Sequence, residues 1–123
     1  MILLDTSVWV DHLRRGDSLV VRVLESGQAV AHAFVIGELA CDHLKSRVDV
    51  IELLQALSQL ATAMDDEVLY FIENRKLMGR GIGYVDAHLL AAASMGSALL
   101  WTRDKRLRAV AAKLGVAYLE ADH

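Results

Sequence analysis

The chain has 123 residues, 54% of them hydrophobic and 24% charged, which is enough apolar material to fill one core without a disulfide or a structural metal. A single cysteine, Cys41, excludes an internal disulfide framework, and a formal net charge of −3 excludes a protein that grips nucleic acid by bulk positive charge. No proline, low-complexity tract, repeat or linker divides the sequence, so one domain over residues 1–123 is expected.

Taken in chain order, Ile2-Leu3-Leu4 is an apolar run of strand length ended by Asp5. It has no basic residue and falls far short of the apolar region of a secretory signal, so a cytoplasmic protein is expected. Residues 7–14 put Val8, Trp9 and Leu13 on or near one helical face, residues 19–25 suit a second short helix, and 29–33 reads as a strand. Phe34, Val35, Leu39 and Ala40 predict a helix over 34–44, and Val48, Ile51, Leu54, Leu57 and Leu60 form a cleaner helical stripe. A weak strand is expected over 61–64. Asp65, Asp66 and Glu67 are acids where the positive end of a helix favours them, ahead of the helical spacing of Val68, Leu69, Ile72 and Leu77. Gly79, Gly81 and Gly83 then make a loop. Helices over 84–95 and 105–114 flank a strand over 98–102, Gly115 supplies a C-terminal stop, and 116–119 reads as a last strand. Short apolar runs alternating with helical segments predict an α/β fold, a central mostly parallel sheet of four to five strands flanked by helices. The Ala-rich stretch 89–93 is far short of the ~20 apolar residues of a membrane span, so no membrane role is expected.

Asp5 ends the first strand, and Asp104 lies just past the strand containing Leu99, Leu100, Trp101 and Thr102. In open parallel sheets ligands gather at that carboxyl edge. Glu38, in the helix after the second strand, and Asp86, in the first turn of the helix after the glycine loop, can reach the same edge. Four carboxylates there would repel one another unless a cation sits among them. A hard divalent ion takes oxygen ligands, keeps several waters and activates water for attack on a phosphodiester, so acids rather than histidines suit the chemistry. Taken singly, Asp86 and Asp104 also read as helix N-terminal charges or caps, and Glu38 with Asp42 as a solvated face. Asp5 is harder to dismiss, because a carboxylate ending a buried strand is costly unless it caps a helix or binds something. Any one of the basic residues nearby reads first as part of a solvated helix face, but their flanking of two candidate acids agrees with a polyanionic substrate. Arg75, Lys76, Arg80, Arg103, Lys105, Arg106 and Arg108 stand against Asp86 and Asp104 over residues 75–108, a net +5 inside an acidic chain.

Asp5-Thr6-Ser7-Val8-Trp9, Ile36-Gly37-Glu38-Leu39, Asp86-Ala87-His88-Leu89-Leu90-Ala91-Ala92 and Trp101-Thr102-Arg103-Asp104-Lys105-Arg106-Leu107 follow the order of the four acidic motifs of PIN domains. Over nearly its whole length the sequence resembles the toxin ribonucleases of VapBC-type toxin-antitoxin pairs. The resemblance implies a PIN fold, a three-layer α/β sandwich, with Asp5, Asp86 and Asp104 as metal-site acids, Glu38 completing the site, and Mg²⁺ or Mn²⁺ as cofactor. It implies endonucleolytic cleavage of RNA to a 5′-phosphate and a 3′-hydroxyl, a homodimer, and a small antitoxin in the active-site groove. It also makes Thr6 and Thr102 candidates for orienting carboxylates or water, and Arg80, Arg103 and Arg106 candidates for contacting the RNA backbone.

His12, His32, His43, His88 and His123 show no paired ligand spacing, so zinc is not expected. Cys41 reads as a small core residue, and Trp9 and Trp101 as core rather than stacking platforms. The glycine loop lacks both nucleotide-cradle patterns and reads as a turn. Other strand-end aspartate chemistries compete less well. A haloacid-dehalogenase-type phosphatase needs a second Asp where Ser7 stands, and a receiver-like signalling module leaves Glu38 and Asp86 without a task. A silent PIN scaffold that only binds a partner does not account for intact acids.

Overall fold

The computed structural model describes residues 1–120, so His123 lies outside the described residues. In chain order the elements are β1 (Ile2–Leu4), α1 (Thr6–Arg15), α2 (Ser18–Glu25), β2 (Ala29–Ala31), α3 (Ala33–Ala40), α4 (Arg47–Ala56), β3 (Ser58–Gln59), α5 (Asp65–Arg75), α6 (Tyr84–Met95), β4 (Leu99–Trp101) and α7 (Lys105–Lys113). The strands pair in parallel in the order β3-β2-β1-β4. β1 is central, and Leu3 and Leu4 are fully buried, which is why the strand is a continuous apolar run instead of an alternating one. Crossovers between parallel strands are right-handed as a rule, which sends the helices of the β1-β2-β3 path to one face and those of the return to β4 to the other. Trp9 and Trp101 are buried in the core, as expected.

This strand order makes β1 a switch point, because the chain builds away from it first toward β2 and later toward β4. Loops leaving neighbouring strands part there and open a crevice at the carboxyl edge. The register Leu4 opposite Trp101, with Asp5 N–H donating to Trp101 O at 3.0 Å, sets Asp5 beside Thr102.

Several boundaries differ from the sequence reading. The partner of β2 is Ser58–Gln59 and not 61–64; a polar, exposed edge strand has no apolar pattern to announce it. Leu60, expected in the α4 stripe, instead donates its N–H to Ala31 O at 2.8 Å. The stretch 116–119 contracts to a single parallel bridge between Leu100 and Ala117. α3 stops at Ala40, short of the expected residue 44, where Arg47 Nε and Nη2 donate to the Ala40 carbonyl at 3.1 and 2.8 Å. Cys41, expected in the core, is exposed because it lies just past that helix end. Among the described residues no helix is long and apolar enough to cross a membrane.

Candidate active site

Asp5 caps α1 from extended backbone, and its Oδ1 accepts from Ser7 N at 2.9 Å, Val8 N at 3.3 Å and the Ser7 hydroxyl. Burial pushes its carboxyl above the ordinary range, and bonds from Ser7, Thr102 and the Val8 and Ser7 amides work against that rise. Asp104 caps α7 and accepts from Leu107 N at 2.9 Å. Asp86 lies in the first turn of α6, where its Oδ2 accepts from Gly83 N at 3.2 Å. These amides occupy one oxygen of each acid and leave the other outside the cap. Capping and ligand roles are therefore compatible, and three helix N-termini direct partial positive charge at the same edge.

Hydroxyls join the acids across the chain. Thr6 donates to Glu38 Oε1 at 2.7 Å and so ties α1 to α3. Thr102 Oγ1 accepts from Asp104 N at 3.1 Å and lies near enough to Asp5 to oppose the rise of its pKa. Ser7 Oγ accepts from Arg103 N at 3.0 Å and stands 3.5 Å from Thr102 Oγ1. Asp86 is half-buried and raised above the usual carboxylate range, first by desolvation and then by the charges of Asp104 and Glu38. Asp86, Asp104 and Glu38 thus share one electrostatic neighbourhood. The arrangement is looser than the sequence suggested, since among the described residues no three acid, histidine or cysteine side chains come together closely enough to hold a metal ion. The reason is local, because the three aspartates answer first to the amides of their own helices and Glu38 to Thr6.

The three arginines fare differently. Arg103, expected to contact RNA, is engaged elsewhere. Its Nη1 bonds Asp11 Oδ2 at 3.0 Å, Nη2 bonds Asp17, and Nε bonds Glu120 Oε1 at 2.8 Å, with the group 5.5 Å from the Trp101 ring centroid. Against desolvation, Glu120, Asp17 and Asp11 hold it charged beyond its usual range. Each guanidinium nitrogen has a carboxylate partner, which turns the group toward α1, α2 and Glu120. Arg106 instead lies along the glycine loop, where a Cβ at Gly81 would come 2.7 Å from its Cδ. Among the described residues neither Arg106 nor Arg80 forms an ion pair.

Sequence reasoning passed over Ser7 and the partners of Arg103. The run Asp5-Thr6-Ser7 directly after a strand was a usable signal for Ser7, since it is typical of a helix start. The histidines are built into the frame. His32 caps α3 through Nδ1, accepting from Phe34 N at 3.0 Å, and burial followed by the neighbouring His88 lowers its pKa. His88 Nε2 stands 3.1 Å from Asp65 Oδ1, which also accepts from Tyr84 OH at 2.7 Å.

The PIN domain family model matches residues 2–113, from β1 to the end of α7 and including all four acids. The chain is 49% identical over 121 residues to Ribonuclease VapC32 from two strains of Mycobacterium tuberculosis, covering 98% of each sequence. Among solved structures, FitAcB from Neisseria gonorrhoeae aligns over 95% of both chains with a TM-score of 0.63 and 24% identity. FitAB bound to an IR36 DNA fragment aligns over 100% of both with a TM-score of 0.64 and 23% identity. At such identities the structures speak to the fold alone. With its parallel sheet, its acids at the switch point and a family match spanning nearly every element, the chain belongs to the PIN-domain family.

Proposed function

We propose that the protein is an endoribonuclease that hydrolyses RNA phosphodiester bonds at Asp5, Glu38, Asp86 and Asp104, and that it is the toxin of a toxin-antitoxin pair. The observation that carries this reading is the placement of Asp5 and Asp104 on the adjoining carboxyl ends of β1 and β4, where Leu4 lies opposite Trp101 and each acid caps the helix that follows, with Asp86 and Glu38 reaching toward the same edge. Identity of 49% with a protein named as a ribonuclease supports the choice of substrate. Residues 1–123 act as one PIN domain.

The donor set consists of carboxylate oxygens, with His32 and His88 buried in the frame, and it suits a hard divalent cation, Mg²⁺ or Mn²⁺, better than zinc. Asp5, Asp86 and Asp104 would hold the ion, directly or through water, with Glu38 completing the site. When bound, such an ion supplies Lewis acidity and a water of lowered pKa. The chain's own groups do the remaining work. Thr6 orients Glu38, Thr102 holds the Asp104 backbone N–H beside Asp5, and the N-termini of α1, α6 and α7 favour the phosphate. Arg80 and Arg106 neutralise the RNA backbone beside the site. The products carry a 5′-phosphate and a 3′-hydroxyl.

A small antitoxin would cover this groove in the cytoplasm. The protein would act as a homodimer, a reading supported by the exposed apolar side chains of Leu69 and Tyr70 on α5 and Met95 at the end of α6. The test of activity is cleavage of total RNA with Mg²⁺ or Mn²⁺ and with EDTA. Wild type should cleave only with metal, whereas Asp5→Asn and Asp86→Asn should stay folded by circular dichroism and lose about 100-fold or more in rate. Equal cleavage by wild type and both variants would assign the activity to a contaminant and end the proposal.

A further inference from the structure

Arg103 stands between Thr102 and Asp104, yet its side chain leaves the acidic edge and joins three other parts of the molecule. Its guanidinium pairs with Asp11 on α1, with Asp17 at the N-cap of α2, and with Glu120 in the segment after Ala117. Glu120 Oε1 also accepts from Trp101 Nε1 at 2.7 Å, and Arg103 lies over the Trp101 ring. At the same residue the backbone N–H donates to Ser7 Oγ, whose hydroxyl donates to Asp5. One residue thus has its side chain anchored on α1, α2 and the C-terminal segment while its backbone supports the hydroxyl that holds Asp5.

We propose that Arg103 is a positioning residue for the nuclease reaction: its three-way clamp holds the Thr102-Arg103-Asp104 backbone against Ser7 and so keeps Asp5 and Asp104 in register. The reaction it serves rests on the ribonuclease reading, whereas the geometry it holds does not. A planar guanidinium offers five donors in a rigid fork and can meet three carboxylates from different directions; a lysine ammonium at this place cannot. Exposed ion pairs stabilise little, but the side chain of Arg103 is only 23% exposed and that of Asp17 18%. With three of its five N–H donors on carboxylates outside the acidic edge, the guanidinium is directed at the frame of the molecule and not at the candidate centre.

The test uses Arg103→Lys and the double variant Asp11→Asn with Asp17→Asn, in which α2 stays capped because asparagine serves as an N-cap as well as aspartate does. Amide hydrogen exchange at Arg103 and Asp104 reads the clamp without reference to cleavage. Turnover of a labelled RNA with Mn²⁺ gives kcat and KM separately, and RNA binding on an Asp86→Asn background gives the salt slope. Both variants should exchange these amides faster and lose about tenfold to 100-fold in kcat, with KM changed less than about twofold and the salt slope unchanged. Tighter RNA binding by the double variant, with a salt slope steeper by about one, would make Arg103 a phosphate contact and overturn the proposal. Unaltered exchange with full kcat would overturn it as well. Faster exchange in the variants of a wild type that cleaves no RNA would leave the clamp standing and remove the ribonuclease reading.

Discussion

Asp5 and Asp86 are carboxylates that the folded chain holds at an electrostatic cost. Burial raises the pKa of both, and Asp104 with Glu38 adds to the rise at Asp86. A carboxyl whose folded pKa lies above its unfolded value binds protons more readily when folded. Its contribution favours folding below the unfolded pKa, about 4 for aspartate, and is lost as pH rises through the higher folded pKa. Thermal melts in EDTA at pH 7 should therefore show Asp86→Asn level with wild type or above it, and a clear drop would mark Asp86 as structural. Asp5→Asn should behave alike because asparagine also caps, whereas Asp5→Ala should lose about 1 kcal/mol with the cap. Asp11 and Asp17 have the opposite sign. For Asp11 the Arg103 hydrogen bond lowers the pKa, and for Asp17 desolvation is outweighed by the same partner together with the Val20 and Leu19 amides. Their contributions are present above the unfolded pKa and lost as pH falls through the depressed folded values. A denaturation series from pH 7 to 3 should show the double asparagine variant losing less stability than wild type at the acid end.

Caps and loops carry the site at the scale of elements. Replacing Asp104 by alanine removes the N-cap of α7 and should cost about 1 kcal/mol in urea unfolding. Asp104→Asn should restore that stability without restoring cleavage, separating the cap from the chemistry. Gly81 has φ +78°, and a Cβ there would press on Arg106. Gly81→Ala should therefore cost about 1 kcal/mol and displace Arg106, lowering RNA affinity in filter binding while Mn²⁺ binding to the acids stays intact. Elements of this kind were legible where the signal was local. α6 matches its expected span, and α1 and α7 fall within a residue of theirs at each end. Ser58–Gln59 was not legible, because an exposed polar edge strand is defined by the backbone it pairs with and not by its own hydropathy. The end of α3 was hidden for a similar reason, since Arg47 reaches back across a turn to the Ala40 carbonyl.

Sheet order decides the location of the site in the molecule as a whole. With β1 between β2 and β4, the loops after β1 and β4 bring Asp5 next to Thr102 and Asp104, and α6 sets Asp86 within range of Asp104 and Glu38. Any two of these acids are ordinary helix caps or surface charges; their common edge turns them into a candidate centre. The exposed Leu69, Tyr70 and Met95 belong to the same scale, as apolar surface that one copy leaves uncovered. Light scattering should return twice the 13.5 kDa chain mass, and Tyr70→Arg should shift the protein toward that single mass if this face joins two copies. A wild type at 13.5 kDa across the micromolar range would dismiss the dimer.

By itself the sequence determined the α/β class, the succession of helices and most strands, and the places of the four candidate acids, Asp5 and Asp104 at strand ends, Asp86 in a first helical turn and Glu38 one turn into its helix. Hydrophobic period, caps and glycine stops act over a few residues and are written where they act. Tertiary structure alone decided the strand order, the looseness of the acidic cluster, the exposure of Cys41 and the fate of Arg103. Arg103 meets Asp11 and Asp17 across 92 and 86 residues of sequence. No local pattern encodes a pairing across such a separation, because it depends on which strands the chain has already set side by side.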